Sequence, residues 1–280
     1  MSTMRRITVL SLILASAMAL ACTRESRAAP LRLGTTTTVE QSGALALLDS
    51  LEPRITLNVV VGASGQILRS AAAGDLDVVL THSPSLEQRL LIAPGRAAWR
   101  CPFVASRFAV VGPGTDPAQV RSAATAADAF RRIAASRSSF ISRGDSSGTH
   151  VKELGLWQAA GVAPPPGTRD PWYIQAGVDQ AATLHLADER HAYALADLPT
   201  FTRLTGIELR VLFSADTALS NPYTLYVIRS ARADSEATRF SAWALADWRA
   251  RLLSLRLPGG EPAFAPLAGG CIVPDTAAVQ

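Results

Sequence analysis

From Leu31 onward the chain alternates two hydrophobic periods. Short apolar, β-branched runs read as strands. Between them apolar residues recur three and four positions apart, the spacing of one helix face. Leu31-Arg32-Leu33 leads into the tract Thr35-Thr36-Thr37-Thr38, and residues 41–51, with Leu45, Leu48 and Leu51 on one side, predict a helix. Residues 55–61 predict a strand, 65–73 a helix through Ile67, Leu68 and Ala71, and 77–81 a second strand. In that last run Val78-Val79-Leu80 is apolar without alternation, as in a strand covered on both faces. Strands and helices alternating over so short a stretch predict an α/β unit with a parallel sheet.

The alternation then returns. Strands are expected at 108–111, 139–142 and 192–196, and helices at 123–135, 149–160 and 180–188. Gly112-Pro113-Gly114 stops the first of these strands, and Gly161 suits the end of the 149–160 helix. Pro164-Pro165-Pro166-Gly167 is a loop. Strands at 209–213 and 223–228 precede a long amphipathic helix at 237–255, with Phe240, Trp243, Trp248 and Leu252 on its apolar side. The expectation is two α/β lobes, each a mostly parallel sheet flanked by helices. Residues 30–106 form lobe I, 107–197 lobe II, and 198–280 return to lobe I, with crossings near Arg107 and Asp197.

Residues 1–22 break the pattern. A basic start through Arg5 and Arg6 is followed by an apolar run, Cys22 and a polar stretch. This is the layout of a secretory signal, and the run is short of the roughly 20 apolar residues of a membrane span. Ala19-Leu20-Ala21-Cys22 resembles a bacterial lipobox, in which Cys22 would carry lipid; Ala19 stands where Leu is usual. Cleavage in the small-residue stretch ending near Ala29 is the alternative. The two outcomes place the protein in the periplasm either lipid-anchored or free. Export leaves Cys101 and Cys271 as a pair that an oxidising compartment would let bridge, against the alternative of two buried thiols. Among 280 residues 48% are hydrophobic and 18% charged, an ordinary globular balance. The formal charge of +4, part of it in the leader, does not argue for nucleic acid.

Three loops share one design. The Thr tract, Gly62-Ala63-Ser64-Gly65-Gln66 and Arg143-Gly144-Asp145-Ser146-Ser147-Gly148-Thr149 each join a predicted strand to a predicted helix. A helix start carries unsatisfied N–H groups and partial positive charge, and therefore favours anions. Hydroxyls add donors that rotate to suit, and the planar fork of Arg143 matches two oxygens of a tetrahedral anion. Ser and Thr are also the preferred N-caps of any helix, so one such loop would mean little. Three in one chain, with one of them four threonines long, exceed what capping needs. For Arg143 the competing role is an ion pair with Asp145.

These residues carry a family resemblance. Gly34-Thr35-Thr36-Thr37-Thr38 with Ser42-Gly43 resembles the opening of TupA-type tungstate-binding proteins. Ser64-Gly65-Gln66 with Gly74-Asp75-Leu76-Asp77-Val78, Val111-Gly112-Pro113 with Asp116-Pro117, and Asn221-Pro222-Tyr223 continue the match. Its most specific piece is Ser142 to His150 with Lys152-Glu153 and Leu156-Trp157. The resemblance implies a type II-like periplasmic-binding-protein fold with a ligand cleft between lobes. It implies capture of tungstate, or molybdate, for an ABC importer's membrane permease, by a monomer with no cofactor and no catalysis. The implied ligand residues are Thr36, Thr37, Thr38, Ser64, Arg143, Ser147 and Thr149. Where the family has a glycine-rich segment this chain has Val178-Asp179-Gln180-Ala181, and an Asp179 facing the cleft would repel a dianion. Asp145 or Asp179 as an acceptor would instead suit phosphate, the nearest alternative ligand.

A reading from another class is a secreted serine hydrolase. Gly144-Asp145-Ser146-Ser147-Gly148 matches the G-x-S-x-G elbow between strand and helix. It would need His185 or His191 as base and Asp188 as acid. His82, His150, His185 and His191 form no metal-binding motif.

Overall fold

The computed structural model describes residues 29–49, 55–165, 172–229 and 234–274. The leader, Cys22 and Leu51 lie outside them.

Strands β1 (Leu31–Thr36), β2 (Leu57–Gly62) and β3 (Val78–Thr81) run parallel, with β1 in the middle. β3 is buried at every position, as its unbroken apolar run predicts, whereas β2 lies at the sheet edge and is covered on one face only. The helix expected at 41–51 is instead two short pieces, α1 (Thr37–Gln41) and α2 (Ala46–Asp49). Gly43 separates them: its φ of +82° suits only glycine, and a Cβ there would lie 2.7 Å from the Arg203 guanidinium. α3 (Ser64–Ala73) returns the chain from β2 to β3 with Ile67, Leu68 and Ala71 buried.

After α4 (Pro84–Glu87), β4 (Ala97–Gly112) is sixteen residues long. Only its last part was expected as a strand. The earlier part is hidden in the sequence by Pro102, which sits where the ladder slips register between Pro102 and Val104. Ala97–Arg107 of β4 pairs with β9 (Ser220–Ile228), and Phe108–Gly112 pairs with β7 (Ala194–Asp197) and β8 (Arg210–Phe213). These pairings are antiparallel, as are β9 with β3 and the short β10 (Ala265–Pro266) with β4. The sheet is thus mixed, and its parallel part is the three-stranded group that carries the first two helix starts.

Beyond β4 come α5 (Ala126–Ala135), β5 (Phe140–Ser142), α6 (Gly148–Ala159), β6 (Tyr173–Gln175) and α7 (Gln180–Glu189). β5 and β6 are parallel. α8 (Leu198–Arg203) follows β7. The long C-terminal helix is α9 (Asp234–Trp243) and α10 (Arg249–Ser254), joined by a π-helical turn at Ala244–Trp248.

Two of the four sets of the hydrophobic core among the described residues are the largest. One gathers Leu33, Leu80, Phe103, Leu225, Phe240 and Trp248. The other gathers Phe108, Phe130, Phe140, Trp157, Tyr193 and Leu212. β4 gives Phe103 to the first and Phe108 to the second, so one continuous strand serves both halves of a two-lobed α/β fold. A disulfide joins Cys101 of β4 to Cys271, 170 positions away, and Arg100 and Ile272 bridge beside it. Among the described residues no helix is long and apolar enough to cross a membrane.

Candidate functional site

The carboxyl ends of β1, β2 and β3 lie side by side, with Thr36 opposite Gly62 and Thr35 opposite Leu80. The Thr tract, Ser64 and His82 therefore leave neighbouring strands at one end of the sheet, where ligands bind in open α/β sheets. Thr36 caps α1, its Oγ1 accepting from the Val39 N–H at 3.3 Å, and Thr35 donates to the Leu80 carbonyl. Thr38 is buried and Thr37 half-buried. α3 begins at Ser64 without a side-chain cap.

The facing wall follows β5. Arg143 is 1% exposed, and its three donor groups have different fates. Nε donates to the Val178 carbonyl at 2.9 Å, Nη2 pairs with Asp145, and Nη1 is buried with no partner. The second Asp145 oxygen accepts from the Ser147 N–H at 3.1 Å. The Asp145 pairing thus takes one arm of the guanidinium and leaves the other open. Ser147 caps α6 by accepting from the His150 N–H. Thr149, in the first turn, is fully buried and its Oγ1 also has no partner. A buried donor left unpaired costs about 1–3 kcal/mol, and more when charged.

The two walls meet. The Gly148 N–H donates to Ser64 Oγ at 3.1 Å, across 84 residues of sequence. A Cβ on Gly148 would stand 2.8 Å from His82 Cε1, so the absence of a side chain there lets the starts of α3 and α6 close on each other. Gln41 at the end of α1 accepts from the Ala181 N–H at the start of α7. Ser64, Arg143, Ser147 and Thr149 are therefore gathered in one place. The Thr tract reaches the same end of the sheet by strand pairing, and the bond linking α1 to α7 comes from Gln41. Asp179 caps α7, its Oδ1 accepting from the Ala182 N–H at 2.9 Å, so this oxygen is engaged by its own helix.

Two buried groups behind these walls were not among the sequence candidates. Glu153 of α6 accepts from Tyr173 Oη at 2.9 Å and Trp157 Nε1 at 3.2 Å. Burial pushes its carboxyl up to about 7 against those hydrogen bonds. His82 stacks on Tyr223 at 4.9 Å and shares a 2.9 Å hydrogen bond between Nδ1 and Asn221 Oδ1. Burial holds its pKa down at about 4, with Arg143 adding to the effect and the Asn221 bond opposing it. A histidine directly after a fully buried strand was the available signal for this residue.

Among the described residues no side-chain hydrogen bond joins Ser146 to His185 or His191, or either histidine to the Asp188 carboxylate. Ser146 is exposed with φ +60°, and it is its backbone N–H that meets His150 Nδ1, at 3.1 Å. Asp188 Oδ1 accepts from the Glu208 and Leu209 amides.

A model of the PBP superfamily domain matches residues 23–247. A Haloferax volcanii protein named as a candidate ABC transporter anion-binding protein is 36% identical over 72% of the chain, which spans 60% of that relative's length. The tungstate-binding protein TupA of Peptoclostridium acidaminophilum is 32% identical over 84% of the chain and 85% of its own. The tungstate ABC transporter structure from Geobacter sulfurreducens superimposes with a TM-score of 0.69 at 34% identity, covering 79% of this chain and 96% of that one.

Proposed function

The chain belongs to the PBP superfamily and, within it, to the TupA-type tungstate-binding proteins, and from that premise we propose that it captures a tetrahedral oxyanion, tungstate foremost, outside the cytoplasm and presents it to the permease of an ABC importer. One observation carries the reading. Arg143 Nη1 and Thr149 Oγ1 are two buried donors, at the start of one helix, that the protein itself does not satisfy. A dianion held there by them, by the Ser64 hydroxyl and by first-turn N–H groups of α3 and α6 would satisfy both and sit at the positive ends of two helices. Thr36, at the end of β1, and Thr37 and Thr38, in the first turn of α1, extend that donor set, and Ser147 shapes the turn.

The carboxylates favour tungstate over phosphate. A hydrogen phosphate needs an acceptor for its own O–H. Both Asp145 oxygens already accept from the protein, from Arg143 and from the Ser147 amide, and Asp179 turns Oδ1 to the start of α7, which weakens each as a partner for a phosphate O–H. Discrimination against the smaller sulfate rests on the size of the closed cleft. The two lobes would hinge where β4 passes from β9 to β7, and we move the second crossing from near Asp197, where the sequence suggested it, to Ser220-Asn221, because Leu212 and Leu219 cluster with Phe108. Lipidation at Cys22 would tether a monomer beside its permease.

Calorimetric titration of the purified protein, stripped of bound ion by unfolding and refolding, tests the reading. Tungstate and molybdate are expected to bind tightly, with phosphate and sulfate silent. Binding of phosphate alone would overturn the ligand assignment.

A further inference from the structure

His82 lies buried behind the cleft wall, against Gly148 at the start of α6, and the capture just described does not use it. Its hydrogen bonding sets its protonation. Asn221 Nδ2 donates to Ser106 Oγ at 3.0 Å and to Asp197 Oδ1 at 3.0 Å, so the amide is oriented with Oδ1 toward the imidazole. Oδ1 can only accept, and His82 Nδ1 therefore carries the hydrogen at their 2.9 Å contact. In the neutral ring Nε2 is then a bare lone pair. That atom is fully buried and has no partner. It is bonded to Cε1, which together with Nδ1 forms the ring edge that a Cβ on Gly148 would meet, at 2.8 and 3.0 Å, beside Ser64 Oγ.

A lone pair at that place opposes an entering dianion. A proton on it would make a second cation next to Arg143. We propose that His82 takes up a proton from solvent onto Nε2 as the oxyanion is captured, so that the loaded protein holds an imidazolium beside the start of α6, bonded to Asn221 through Nδ1. This rests on the oxyanion reading of the cleft and deepens it.

The surroundings fit such a switch. Burial is the chief reason the imidazolium is disfavoured, and Arg143, from the loop before α6, adds a smaller repulsion that a bound dianion would cancel. From β9 come the Tyr223 ring and Asn221, and behind Asn221 lies the buried Asp197 carboxyl. From β4 comes the apolar Phe108 ring. On its own segment, Glu87 Oε1 accepts from Thr81 Oγ1 and the Ser83 N–H on either side of His82. The free protein keeps the ring neutral near pH 7, because its pKa lies at about 4. Raising that pKa on binding couples affinity to acidity. Between the pKa values of the free and loaded forms the Kd should rise up to about tenfold for each unit of increasing pH, and level off above the loaded value.

The test is calorimetry with tungstate near pH 7 in two buffers of different ionisation enthalpy. Wild type should take up close to one proton per tungstate, and His82→Gln should take up none and bind with a pH-independent Kd. On the wild-type protein, ¹⁵N NMR of the four histidines should show one ring passing from imidazole to imidazolium as tungstate is added, a readout that does not depend on how the variant folds. Tungstate binding without proton uptake, or the same uptake in His82→Gln, would overturn the proposal while leaving the capture reading standing. No tungstate heat in either buffer would overturn both.

Discussion

Two buried polar clusters lie on the inner surfaces of this protein, and they are built in opposite ways. In the cluster where β4, β7 and β9 meet, Asp197 Oδ1 takes bonds from Ser106, Asn221 and Tyr223, and Oδ2 takes two from Thr200. Every side-chain polar atom of those five residues has a protein partner. In the cluster at the start of α6, Arg143 and Thr149 are as deeply buried, yet each keeps one donor unpartnered. A buried network that closes on itself holds chain segments together, and one that ends in open donors is shaped for something the chain does not supply.

That contrast can be broken from either side. The largest effect belongs to the closed cluster: Asp197→Ala removes the acceptor of several buried donors and should cost about 3–4 kcal/mol of stability in urea unfolding. Anion affinity of the folded molecules should change by less than about tenfold. Arg143→Ala should do the reverse, weakening tungstate binding by roughly 100-fold or more in calorimetry while shifting the unfolding midpoint little.

Glu153 sharpens the comparison with a pH signature. Its carboxyl is raised from the ordinary 4.5 to about 7, so the folded state holds the proton more tightly than the unfolded chain does. The stability this contributes is complete below about pH 4.5 and lost as pH rises through 7. Glu153→Gln, which can still accept from Tyr173 and Trp157, should keep that stability at every pH and be more stable than wild type above pH 7, by about 3 kcal/mol in urea unfolding. The smallest effect is expected of Thr149→Val. It removes a hydroxyl without altering shape, and should weaken binding about tenfold while leaving stability equal or slightly greater, because a buried unpaired hydroxyl is gone.

What could be read in the sequence was local. A helix start rich in hydroxyls and glycine is defined within a few residues, and so the loops that carry Ser64, Arg143, Ser147 and Thr149 could be singled out before any geometry. The capping role became visible only in space: Thr36 and Ser147 spend their hydroxyl oxygens as N-cap acceptors, and Thr149 does not. His82, Asn221, Asp197 and Ser106 were illegible as a group, because antiparallel pairing of β9 with β3 and β4 brings them together across as many as 139 residues. The first half of β4 was masked by a proline at a register slip. The 41–51 helix was overestimated because its apolar spacing runs on through Gly43, whose backbone breaks it.

The most direct measurement is a crystal structure of the protein with tungstate, located by the anomalous scattering of tungsten. The account predicts one tungsten site with oxygens in hydrogen-bond reach of Arg143 Nη1, Thr149 Oγ1 and Ser64 Oγ. Tungsten bound elsewhere, with Arg143 Nη1 and Thr149 Oγ1 paired to the protein's own atoms, would contradict it.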